Sequence, residues 1–177
     1  MESYWEAIEP LFSLVNYGES PEKFSRSVVS WPRHSVILFA AHMCLAEVYN
    51  GGFLQLFWNT TGVLVPEGIE GFTEIEMPKM SSLIQAAARP LGTPYPRDRD
   101  ERWDALLAAS KRSESELTDI FERHKDQAKG LYAVFAEATK SLPFDELDRE
   151  FWAYAKTENG GFQRAATRYA NRTRTTQ

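Results

Sequence analysis

The segment V-I-L-F-A-A-H-M-C-L-A-E-V, Val36 to Val48, is apolar almost all the way round a helix. A helix without a polar stripe must be wrapped by other elements on every side. That requirement predicts a buried central helix over about 33–49, opened by Trp31-Pro32 and ended by Gly51-Gly52. The rest of the chain must then supply the jacket.

The jacket reads as helical too. Trp5, Ile8, Phe12 and Val15 recur at three- and four-residue steps, with Pro10 dividing the run. Ser20-Pro21 is a cap followed by proline at the first helical position. A short helix is expected from Phe53 to Thr60, closed by Gly62, and others open at Pro66 and Pro78. Pro90 to Asp100, with four Pro or Gly, reads as a surface loop. Further helices follow over 101–109, 115–125, 131–140, 145–156 and 162–170. No segment alternates as a strand would, and Val63–Val65 is too short to count. The expectation is an all-α fold of eight to ten short helices around the central one. At 177 residues it fits a single domain over 1–177 with one core.

Composition narrows the class. The single cysteine excludes an internal disulfide. The longest apolar run, Val36 to Ala41, is far short of a bilayer's thickness, and the acidic start is unlike a secretion signal. A cytoplasmic protein without a membrane contact is expected. The net charge of −5 is uneven: residues 159–177 hold four arginines and no acid, leaving −9 on the remainder. So acidic a body repels nucleic acid and suits a basic protein partner. The basic tail, about 171–177, reads as a solvated end.

Asn50-Gly51-Gly52-Phe53 recurs as Asn159-Gly160-Gly161-Phe162, each time between helices and each followed by glutamine, Gln55 and Gln163. The flanks do not align, so shared corner geometry is expected, with Asn or Gly in the left-handed region.

No phosphate-binding, dinucleotide-binding, zincin or nucleophile-elbow motif occurs. His34 and His42 stand two helical turns apart, too far to chelate one metal, and His124 reads as part of a solvated face. Cys44 reads as a buried structural thiol. No catalytic, cofactor or metal residue is named. Glu47 is the only carboxylate in the apolar helix, and leaving it unpaired there would be costly. It reads as an acid fixing the Gly51-Gly52 corner, with a general base as the alternative. Gln55 and Asn59 share a helix face, and Asn50 can join them from the turn. Beside Phe57 and Trp58 they either cap helix ends or form an amide-rich binding patch. Acids cluster in three runs: Glu2, Glu6 and Glu9; Glu67, Glu70, Glu74 and Glu76; Asp145, Glu146, Asp148 and Glu150. Stacked like charges repel, so these runs are candidates for an acidic partner surface.

E-V-Y-N-G-G-F-L-Q-L-F-W-N resembles the N-G-G-F-x-Q-F-F-x-N signature of a bacterial all-helical domain-of-unknown-function family that includes a DMP-type DNA-mimic protein. Asn50, Gly51, Gly52, Phe53, Gln55, Phe57 and Asn59 match, while Leu56 replaces a more usual aromatic. Similarity continues through G-F-T-E-I-E-M-P-K-M-S-S-L-I-Q-A-A-A and P-F-D-E-L-D-R-E-F-W, about residues 35–155. The resemblance implies a helical fold and a homodimer. In the mimic member, surface carboxylates imitate duplex phosphates and occupy a transcription factor's DNA-binding surface. The leading expectation is therefore a non-catalytic protein-binding domain that meets a basic, DNA-binding partner and binds no nucleic acid directly. The rivals are a small-molecule or peptide site, or an enzyme, built on Glu47, Asn50, Gln55 and Asn59, and an immunity or antitoxin-like role.

Overall fold

The computed structural model describes residues 3–18 and 20–174. Among them every regular element is a helix, with no strand. Two single turns, α1 (Trp5–Ile8) and α2 (Leu11–Leu14), are divided at Pro10 as expected. In α3 (Pro21–Val28), Ser20 accepts the Lys23 N–H and Pro21 takes the first helical position. The central helix α4 (Arg33–Trp58) is two arms joined at Gly51 and Gly52. A short 3-10 segment, Thr60–Leu64, leads into α5 (Val65–Glu74), which α6 (Pro78–Ala88) follows. After the loop come α7 (Arg99–Ser110), α8 (Glu114–His124), α9 (Gly130–Ala138), α10 (Phe144–Thr157) and α11 (Phe162–Arg174).

The first arm of α4 is enclosed as its sequence demands: Ser35 through Ala41 are all buried, as are Cys44 and Val48. By length and composition α4 could cross a membrane, yet 61% of its most apolar window is buried inside the protein, as in a core helix. Its tightest neighbour is α5. A Cβ on Gly71 would stand 2.2 Å from the Ile37 carbonyl, and one on Gly68 2.6 Å from the Cys44 sulfur. Those two glycines let the helices meet backbone to backbone. Around α4 runs a chain of aromatic edges: Phe53 on Phe151, Phe151 on Phe72 and Phe72 on Phe162. Ile120, Val134 and Ala138 form a smaller cluster between α8 and α9.

Several expectations are corrected here. The segment 90–100 is not wholly a surface loop. Gly92 to Pro94 is exposed, but the Tyr95 hydroxyl donates to the Gly62 carbonyl at 2.9 Å and Arg97 to the Val63 carbonyl at 3.1 Å. His124 is not a solvated side chain: its Nε2 lies 2.7 Å from Glu137. His42 is held among Tyr4, Trp5, Phe12 and Phe162, and burial lowers its pKa. Of the basic tail only residues 171–174 are described; Arg172 is exposed and also donates to Glu76 at 3.0 Å, and Arg174 donates to Glu6 at 3.3 Å, so the tail meets two of the acidic runs in ion pairs.

Candidate functional site

The corner at Gly51-Gly52 gathers polar side chains from α4, the 3-10 segment and α10. Gly52 has φ +76° and ψ −175°, a conformation open in practice only to glycine, and Gly51 is extended at φ −161°. The break leaves orphaned backbone groups on both sides. Asp148 of α10 accepts the Phe53 N–H at 2.8 Å and so caps the second arm, while the Trp152 indole N–H donates to the Val48 carbonyl at 3.0 Å. Burial pushes the Asp148 carboxyl from its ordinary 3.8 up to about 6; the Phe53 bond opposes the rise and Asp145 adds to it.

Glu47 stands behind this corner, half-buried. Its Oε2 accepts from Gln55 Nε2 at 2.8 Å and Asn59 Nδ2 at 2.9 Å, and its Oε1 from the Thr61 hydroxyl at 2.7 Å. Three neutral donors hold the carboxylate, and among the described residues no cation pairs with it. The far end of the second arm is held from the other direction. The buried Arg102 guanidinium donates to the carbonyls of Phe57 at 3.1 Å, Asn59 at 2.8 Å, and Arg97. Trp103 stacks on Trp58 at 4.2 Å and donates to its carbonyl. Burial lowers the Arg102 pKa, and helix-end carbonyls compensate the desolvated charge.

Among the expected corner residues, the structure joins Glu47, Gln55 and Asn59 in one network. Phe53 and Phe57 are wholly in the core. Asn50 is exposed and lines, with Gln55, Asn59 and Trp58, a groove of about 470 Å³ facing the start of α9. Sequence reasoning missed Thr61, Arg102, Trp103 and Trp152. Arg102 carries little local signal, since two of its three carbonyl partners, on Phe57 and Asn59, lie more than 40 residues away. Thr61 stands beside the notable Asn59 and was within reach. Among the described residues no three His, Cys, Asp or Glu side chains gather to hold a metal ion, and Cys44 is buried, its thiol pKa pushed upward by burial.

The members of the acidic runs meet different surroundings. Glu2 lies outside the described residues. Glu67 is buried rather than exposed, held by both terminal nitrogens of Arg97 at 2.9 Å. Glu70 is paired to Arg33, Glu76 to Arg172 and Glu6 to Arg174. Asp148 is turned inward as a cap. What remains exposed and without an ion pair among the described residues is Glu9, Glu74, Asp145, Glu146 and Glu150. The last three share α10.

The two N-G-G-F turns share less geometry than expected. Asn50 is helical, whereas Asn159 (φ 49°), Gly160 (φ 80°) and Gly161 (φ 88°) are three successive left-handed residues. Only the last glycine and the buried phenylalanine after it correspond.

A family model described as DMP19-like protein matches residues 30–172. No curated protein and no solved structure matches the chain.

Proposed function

Because the chain belongs to the DMP19-like protein family, a DNA-mimic family, we propose that it is a non-catalytic protein-binding domain that engages a basic, DNA-binding protein. The observation that carries this reading is the set of exposed carboxylates on α10: Asp145, Glu146 and Glu150 have no ion pair among the described residues, while most other described acids of the expected surface are paired or buried. Unpaired charges on a rigid helix retain the field that a DNA-binding surface seeks. Glu9 and Glu74 add to that field, and Arg149 interrupts it. The family and the net charge of −5 both argue against direct contact with nucleic acid.

The test is capture of DNA-binding proteins on the immobilised domain at rising salt, with duplex DNA as competitor. Capture should weaken steeply with salt and be displaced by DNA, and the triple change Asp145→Lys, Glu146→Lys, Glu150→Lys should abolish it. Capture indifferent to salt, or unchanged in the triple variant, removes the reading.

A further inference from the structure

Beside the α10 carboxylates lies a second surface, the groove of about 470 Å³ between the α4 corner and the start of α9, lined by Asn50, Gln55, Trp58, Asn59, Lys129 and Tyr132. Its polarity is set from behind. A carboxylate only accepts, so Glu47 forces the NH₂ group of Gln55 and of Asn59 to turn toward it. In a primary amide the carbonyl oxygen then points the other way. The half-buried Glu47 thus leaves over the acceptor oxygens of two side chains that line the groove, that of Gln55 lying over Gly51. Behind them sits a carboxylate with no cationic partner among the described residues. A second carboxylate, Asp148, is near enough to Tyr132 to raise its pKa alongside burial. The Arg102 guanidinium is occupied by three carbonyls. The aromatic walls are Trp58 and Tyr132, edge to face at 5.5 Å.

Oriented acceptors, a carboxylate that no cation pairs among the described residues, and aromatic rings are together the complement of a planar cation with several N–H donors. We infer that the groove receives a guanidinium group, the arginine side chain of the partner that the α10 carboxylates attract. Lys129 at the rim opposes that cation and sets its affinity. The inference rests on the proposed protein-binding function for the source of the arginine, and on the groove's own chemistry for the site.

The probe is a capped Gly-Arg-Gly peptide, with the citrulline peptide as its isosteric neutral control, titrated while side-chain amide and indole resonances are followed by NMR. The arginine peptide should shift the Gln55 and Asn59 amides and the Trp58 indole, and the citrulline peptide should not. Tyr132→Ala, which leaves the Glu47 network intact, should weaken binding about 5- to 10-fold. Lys129→Ala should strengthen it about 2- to 5-fold. A change at Lys129 in that direction is not produced by loss of folding. Equal response to both peptides, or none at these resonances, overturns the site. Salt-sensitive capture through α10 with no peptide response overturns the groove while leaving the proposed function standing. A peptide response in a domain that captures no DNA-binding protein supports the groove while that function falls.

Discussion

The corner at Asn50-Gly51-Gly52-Phe53 and the turn at Asn159-Gly160-Gly161-Phe162 share four letters and solve different problems. Both end in a left-handed glycine with extended ψ, −175° at Gly52 and 155° at Gly161, and both then bury a phenylalanine. That unit redirects the chain into the same aromatic core from two sides, through Phe53 on Phe151 and Phe162 on Phe72. Upstream they part. At the first corner the helix runs to its end and the carboxylates of Glu47 and Asp148 hold the break from within. At the second, Asn159 is itself left-handed, donates to the Ile75 carbonyl at 2.9 Å and receives Arg168. Just before it, Glu158 accepts the N–H groups of Lys79 and Met80 and caps α6. Identical tetrapeptides therefore fix only what their backbone needs, and the neighbours decide the chemistry.

The sharpest way to break this comparison is to add one methyl to each final glycine. Gly52→Ala forces a left-handed alanine whose Cβ falls 2.2 Å from Asp148 Oδ2, so the cap on Phe53 must move. A loss of about 3–4 kcal/mol is expected from strain plus the lost cap. Gly161→Ala meets the same strain, but its Cβ stands 3.0 Å from the Lys156 carbonyl, and about 2 kcal/mol is expected. Chemical denaturation of both variants gives the order, and a larger loss at Gly161 would show that the inward carboxylate is not what distinguishes the first corner.

Side-chain truncation comes next. Glu47→Ala strips the acceptor from Gln55, Asn59 and Thr61 and should cost about 2 kcal/mol. Asn159→Ala removes the bond to Ile75 and a residue tolerant of the left-handed region, for about 1 kcal/mol. Equal losses would place the two turns on one footing.

Much of this architecture was legible in the residues themselves, for reasons that can be named. The apolar helix had to be central because it has no wet face, and Ser20-Pro21 or Pro78 mark helix starts through local stereochemistry. Glu47 stood out because an acid in such a helix must find donors, and Gln55 and Asn59 were the nearest at helical spacing. Asp148 reads as surface in the sequence because its partner, Phe53 N–H, is 95 residues away. Glu67 reads in the same way from its spacing to Glu70 and Glu74, yet it turns inward and meets Arg97, 30 residues on. Spacing reveals which side chains share a face and not what faces them. The same gap hid Arg102, and it let four matching letters suggest a likeness that the backbone keeps only in part.

The smallest expected effect is also the most specific to the first corner. With the Asp148 carboxyl raised from 3.8 to about 6 by burial, the folded state holds its proton more tightly than the unfolded chain does. The stabilisation from that proton is fully present below about pH 4 and is lost as pH rises through about 6. The side chain is half open to water, so the swing is smaller than the full shift would imply. Asp148→Asn keeps an acceptor for Phe53 while removing the titration. The difference in unfolding free energy between the natural chain and this variant should therefore change between pH 4 and pH 7, with the variant gaining relative stability as pH rises. Taking the difference cancels the histidines and the carboxylates that are not coupled to Asp148 as Asp145 is. A difference flat across that range would mean that Asp148 is better solvated than its place against the Gly52 backbone implies, and that the two corners differ in shape but not in electrostatics.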